Sequence, residues 1–236
     1  MQRTLVLSRG YMSGFSRYSL SLAALMLCFA ANSVAQGPPA GAPPGGGPPR
    51  QAPPPSPPTA GAHLEIAEGS ASYKVTEQFV GINFPNDAIG TTNTVTGAIT
   101  IAADGSIAPG SKLSFDLRAL KSDQDQRDNY VRTRALETDK FPMAEFLPTK
   151  IKGLAVMIPT QGQTGFELTG NMTIHGVTKE VTFQGIATFN RDSTVAGRAK
   201  TEFTFDTFGI TQPKIARLMS VDNKVVLDLV FKFKRT

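Results

Sequence analysis

Apolar side chains recur at every second position through most of the chain beyond residue 62. That period puts one set of side chains on each face of a strand. "KLSFDLRAL" sets Leu113, Phe115, Leu117 and Ala119 against Ser114, Asp116 and Arg118. "GFELTGNMTI" sets Phe166, Leu168, Met172 and Ile174 against Glu167, Thr169, Asn171 and Thr173. "EVTFQGIATF" aligns Val181, Phe183, Ala187 and Phe189, and "VAGRAKTEFTFDTF" aligns Val195, Ala199, Phe203 and Phe205. "KVVLDLVFKFKR" aligns Val225, Leu227, Leu229, Phe231 and Phe233 opposite Asp228, Lys232 and Lys234. Two earlier stretches fit the same scheme, with Tyr73 and Val75, then Val95, Ile99 and Ile101. About eight strands are therefore expected, each with one apolar, phenylalanine-rich face. Many strands joined by short turns predict an all-β sandwich or barrel.

One stretch breaks the alternation. "SDQDQRDNYVRTRALETDKF" (122–141) is rich in charge and predicts a short helix over about 124–136. Ser122 or Asp123 is its expected cap, and early acids suit its N-terminal end. Tyr130, Val131 and Leu136 are expected to point inward. Asp123, Asp125 and Asp128 lack the glycine turn and terminal glutamate of an EF-hand, so they read as a helix start rather than a calcium loop.

Before the strands the pattern changes twice. Arg3, Arg9 and Arg17 precede an apolar run over 20–31, and Ser33 and Ala35 are small residues before Gln36. That is the layout of a secretory signal peptide, 1–35, cut between Ala35 and Gln36. The apolar run is too short for a stable transmembrane anchor, which needs about 20 residues. Residues 36–61 are dominated by proline and glycine and lack large apolar side chains, so they are expected to form a disordered, extended linker. The folded domain is then 62–236, in the periplasm or secreted. The one cysteine of the chain, Cys28, lies in the apolar run behind Leu27. Lipoprotein processing wants a small residue there, so the cysteine is expected to leave with the signal. The formal net charge of +5 falls to about +2 without the three arginines. No dense basic stripe remains, which excludes nucleic acid as a partner.

Little chemistry is left for an enzyme. There is no cysteine in the expected domain, and His63 and His175 are the only two histidines. No HExxH, GxSxG, GxxxxGK[ST] or GxGxxG motif occurs. No cofactor or metal is expected. His175 precedes Gly176 between two alternating segments, so it reads as a turn or rim residue.

Four stretches carry a resemblance. "GNMTIHGVTKEVTF" resembles the hairpin of the YceI-like family of exported, isoprenoid-binding proteins. "SDQDQRDNYVR" resembles that family's Arg-Asp helix, with Arg127 and Asp128 matching. "LETDKFPMAEF" matches at Phe141, Pro142 and Phe146, and "FDTFGI" at Phe208, Gly209 and Ile210. The resemblance runs from about Ser70 to Thr236. It departs from the family at the first strand, which lacks histidine, at the stretch 80–94, which reads as a long loop, and at Asp206, where the family commonly has arginine or asparagine. It implies an antiparallel eight-stranded, lipocalin-like β-barrel with one short helical excursion. It also implies non-catalytic binding of a long apolar lipid: a polyisoprenoid, an isoprenoid quinone tail or a fatty-acid-like chain. The candidate wall is Tyr73, Val75, Phe115, Leu117, Phe166, Leu168, Met172, Phe183, Phe189, Phe203, Phe205, Leu227, Leu229 and Phe231. Alternation identifies these as inward-facing; a filled core and a lined cavity share that pattern. A packed interior would instead make the domain an interaction module with a closed barrel core. A homodimer is compatible with either.

Overall fold

The computed structural model describes residues 59–154, 157–214 and 216–236. The expected signal peptide and nearly all of the expected linker lie outside them. Among the described residues eleven strands run β1 (Thr59–Ala60), β2 (Ala62–Phe79), β3 (Asn86–Thr92), β4 (Val95–Ile101), β5 (Lys112–Asp116), β6 (Met143–Lys152), β7 (Met157–Ile158), β8 (Gly162–Ile174), β9 (Val177–Phe189), β10 (Thr194–Thr204) and β11 (Leu218–Arg235). β1 and β7 form a small separate ribbon. All the others join one antiparallel sheet in the order β11-β10-β9-β8-β6-β5-β4-β2-β3, and β11 also pairs with β2. That last pairing closes the sheet.

The barrel has eight staves, because β3 and β4 make a single one. Both lie along β2, with Thr92 opposite Ala71 and Ala98 opposite Glu65. Closure leaves no free edge around the ring, which removes the usual aggregation liability of a sheet. A register shift between Phe233 and Lys232 changes which face of β2 looks inward. A bulge of this kind re-aims every later side chain. Leu64 is buried before it; Val75 and Glu77 are buried after it.

The core lies inside the barrel. Leu113, Phe146 and Phe208 are almost fully enclosed, and Phe146 meets Phe183 edge to face at 5.1 Å between centroids. Fully burying such a side chain contributes about 1.5–3 kcal/mol, so the repeated inward face is the main source of stability.

Several local expectations change. β5 ends at Asp116, whose carboxylate caps a 3-10 turn over Leu117–Ala119. The turn breaks the alternation, so Ala119 is exposed and Leu120 is buried in its place. β10 ends at Thr204, and Phe205 opens a second 3-10 turn, Phe205–Phe208. The stretch 80–94 is not a long loop: Asn86–Thr92 is strand β3, and only the tip between β2 and β3 is loop. The helix α1 spans Asp125–Tyr130 and continues as one wider π turn, Val131–Ala135. Its N-cap is Gln124, with no side-chain cap. Ser122 is engaged elsewhere: its hydroxyl donates to Asp128 Oδ1 at 2.6 Å.

Candidate functional site

The barrel interior is not uniformly filled. At the end covered by the π turn that follows α1 lies a cavity of ≈130 Å³ whose surface is wholly apolar. A second cavity of ≈50 Å³ sits deeper, toward the opposite end. Phe115, Phe183 and Leu229 line both and form the partition between them.

The two cavities have different walls. The wide one is bounded by Tyr73, Leu117, Met172, Phe203 and Leu227, with small side chains Ala71, Thr92, Ala135 and Ala144 between them. The narrow one is bounded by Phe166, Leu168, Phe189 and Phe231, reinforced by Phe146 and Phe233. Val75 and Phe205 are buried but line neither cavity. Val75 lies two residues beyond Tyr73 along β2, and Phe205 faces inward from a turn rather than a strand.

The wide cavity is roofed by the helical segment. Val131, Ala135 and Leu136 supply its ceiling, and Ile174 and Ile210 its rim. Three polar ties hold the roof. Arg127 donates to Glu77 Oε1 at 2.7 Å, and both side chains are largely buried. Arg127 also pairs with exposed Asp123. Asp128 accepts from the Ser122 hydroxyl and the Ser122 amide, while its buried Oδ2 faces Lys121 Nζ at 3.2 Å. Burial pushes the Asp128 carboxyl up, but the Ser122 and Lys121 contacts outweigh it and hold it below its usual range. Finally, His175 Nε2 lies 2.9 Å from Glu137 Oε2.

That last tie explains the hairpin. His175 and Gly176 have φ of 52° and 75°, the left-handed pair that a tight two-residue turn needs. A Cβ on Gly176 would lie 2.7 Å from the Phe141 ring, so the position needs glycine twice over. Phe141 meets the His175 ring edge-on at 4.9 Å. His175 is therefore a rim residue fastening the β8–β9 turn to the end of the roof. His63 is exposed at the far end, with Nδ1 2.7 Å from Thr100 Oγ1.

The resembling residues "Phe208-Gly209-Ile210" have a similar local reason. Gly209 ends the second 3-10 turn at φ 67°, its amide donating to Asp206 O and that of Ile210 to Phe205 O. This buries Phe208 completely and delivers Ile210 to the wide cavity. Asp206 itself is exposed, with Thr204 holding its carboxyl below the usual range.

Sequence reasoning missed Glu77 and the small residues of the wide cavity. Alternation along β2 points Glu77 inward with Tyr73 and Val75; that a carboxylate stands on an apolar face was the available signal. Tyr73 lies beside this cluster, and burial pushes its phenol up to about 12, so it stays neutral. Among the described residues no three His, Cys, Asp or Glu gather as a metal site, and no described helix is long and apolar enough to cross a membrane.

Comparison with known proteins agrees with this architecture. UPF0312 proteins of Pseudomonas putida (strain W619) and Pseudomonas fluorescens (strain SBW25) are 32% identical over 120 and 124 residues. Those alignments cover 47% and 48% of this chain and 58% and 60% of the relatives. The chain thus spans less than two thirds of those relatives. Burkholderia cenocepacia BcnA superposes with a TM-score of 0.52 at 18% identity, covering 69% of this chain and 95% of that one. A polyisoprenoid binding domain from Saccharophagus degradans, described as implicated in plant cell wall breakdown, gives 0.54 at 12% identity, covering 75% and 99%. At these identities the likeness is one of fold. The model of the YceI-like domain matches residues 65–233, and the chain belongs to that family.

Proposed function

We propose that this chain is an exported, non-catalytic carrier that takes the hydrocarbon tail of a lipid into its barrel, with a polyisoprenoid or isoprenoid quinone tail as the favoured class. The observation that carries this reading is the wide cavity: ≈130 Å³ of carbon-lined space inside the barrel. Cavities of about 150 Å³ with such walls stay dry and accept a benzene-sized guest. One five-carbon unit is of that size. The structural neighbour whose description names polyisoprenoid binding supports the ligand class.

A longer tail needs the second cavity as well. Its route runs through Phe115, Phe183 and Leu229, so the partition must rotate aside as the chain enters. Each buried methylene then contributes about 0.8 kcal/mol before ordering costs. The roof segment, tied by a few polar contacts, is the element that yields at the mouth. Export from the cytoplasm, with cleavage before Gln36 and a periplasmic or extracellular destination, is part of the same proposal.

The test is native mass spectrometry of protein purified without detergent, followed by solvent extraction. A bound mass that extracts as an isoprenoid or acyl lipid supports the carrier reading. Protein that carries no lipid and takes up neither quinones nor fatty acids sinks it in favour of a closed interaction module.

A further inference from the structure

The rim beside the wide cavity carries a feature that lipid burial does not use. β2 and β11 pair beyond the cavity wall, with Leu218 opposite Phe79. At about 3.3 Å per residue, Phe79 stands about 20 Å beyond Tyr73. The loop that follows is exposed throughout and apolar: Val80 is 64%, Ile82 52% and Phe84 77% exposed, and Met219 on β11 is 65% exposed. Scattered exposed apolar residues need no explanation; several together on one projecting tip do.

The tip is built rather than frayed. Ile82 N–H donates to Phe79 O at 3.3 Å, with Gly81 at φ 80°, closing a turn that sets Val80 and Ile82 outward. Gln78 donates its side-chain amide to Ile82 O. Val80 N–H donates to Arg217 O at 3.0 Å, stitching the loop to the segment before β11.

That segment supplies charge of one sign. Lys214 and Arg217 are exposed, and neither side chain has a partner among the described residues. No acid lies in 79–86 or in 208–221. The acids flanking the loop are already held, Glu77 by Arg127 and Asp87 by Lys74. Two further acids lie close by in sequence: Asp222 accepts from the Lys224 amide, and exposed Asp206 is held by Thr204.

We infer that this tip docks on an anionic lipid bilayer. Phe84, Ile82, Val80 and Met219 enter the interface, and Lys214 and Arg217 meet lipid phosphates. An apolar tip alone would fit many partners; the unpaired cations behind it favour a negatively charged surface, the arrangement of interfacial membrane anchors. Docked this way, the barrel end that holds Tyr73 and the wide cavity is turned toward the bilayer, with the tip spanning the roughly 20 Å between them. The docking depends on the carrier reading for its use and not for its test.

The experiment is flotation of the full chain with vesicles of phosphatidylcholine containing phosphatidylglycerol, against phosphatidylcholine alone. The expected result is binding to the anionic vesicles that weakens with salt. Phe84→Ser should lower it about ten-fold or more. Lys214→Glu with Arg217→Glu should lower it about twenty-fold or more, at roughly five-fold per cation even before repulsion. Both variants should keep the parent melting temperature, since no core contact is lost. All carry the same N-terminal segment, so the difference reads the tip alone. Absence of flotation overturns the inference, as does flotation unchanged in both variants. A dimer that Phe84→Ser converts to monomer, without vesicle binding, reassigns the tip to a protein interface. The carrier reading fails separately, when the extracted protein holds no lipid and takes none up.

Discussion

The two ends of the barrel obey one sequence rule and reach different packings. At the far end Phe146, Phe166, Phe189, Phe231 and Phe233 close around ≈50 Å³, with Ala187 and Ala199 the small side chains of that wall. At the roofed end the same inward positions include Ala71, Thr92, Ala135 and Ala144, and ≈130 Å³ stays open. The wide cavity has more small side chains among its large ones. The roof differs too. The far end is held by apolar burial, whereas the roof is held by polar ties whose partners are largely satisfied within the cluster.

The comparison breaks most visibly at the far end. Phe146→Ala removes a nearly fully buried ring and should cost about 3–5 kcal/mol, lowering the melting temperature by roughly 6–20 °C for a domain of this size. Calorimetry reads it, and a loss under about 1 kcal/mol would mean that the far end is not the stiff half. Arg127→Ala at the roof comes next. It leaves Glu77 buried without its cation, a change that costs about 3–5 kcal/mol in a fully enclosed pair. The exposed flank of Arg127 brings the expectation to about 2–3 kcal/mol. Hydrogen exchange should show the opening confined to 122–137; spread through β6 and β8 it would show that roof and barrel unfold together.

A smaller effect comes from acid. Lys140 and then His175 hold the Glu137 carboxyl below its ordinary 4.5. A carboxyl depressed in the folded state stabilises above its unfolded pKa, and that contribution is lost as pH falls through the folded pKa. Glu137→Gln should therefore match the parent's pH dependence above about 4.5 and flatten it below; parallel acid limbs would dismiss the tie. The smallest change in stability sharpens the comparison most. Ala135→Phe places a ring in space already empty, so the melting temperature should move by little, within about 1 kcal/mol. Lipid uptake should fall at least ten-fold. Uptake at parental level would place the ligand elsewhere.

The staves were legible because period two survives in nearly every one. Leu113 and Phe115 on β5, and Leu227, Leu229 and Phe231 on β11, face inward as alternation requires. Alternation failed where the backbone leaves the strand. Ala119 and Leu120 exchanged roles because Asp116 caps a turn, and Phe205 entered a turn of its own. Residues 86–92 looked like loop because "NDAIGTT" is poor in strand formers, and pairing with β2 overrode that propensity. The candidate wall was largely legible as inward-facing, yet the cavity was not. Whether Phe115 packs or lines depends on Ala135 and Ala144 beside the same cavity, and no pattern along one strand reports what other elements place there.

Closure of the ring by β2 and β11 sets the order of assembly. Leu64 pairs with Arg235 and Phe79 with Leu218, more than half the chain apart. Contacts of such separation require the loop between them to be closed first, and topologies dominated by them fold slowly. Until its last strand, Leu218–Arg235, is available, the domain is an open sheet with β2 and β10 as unpaired edges, the condition most exposed to misassociation. Folding is then completed only after synthesis reaches the final stave, and a chain cut short by that one strand loses both neighbours' pairing at once.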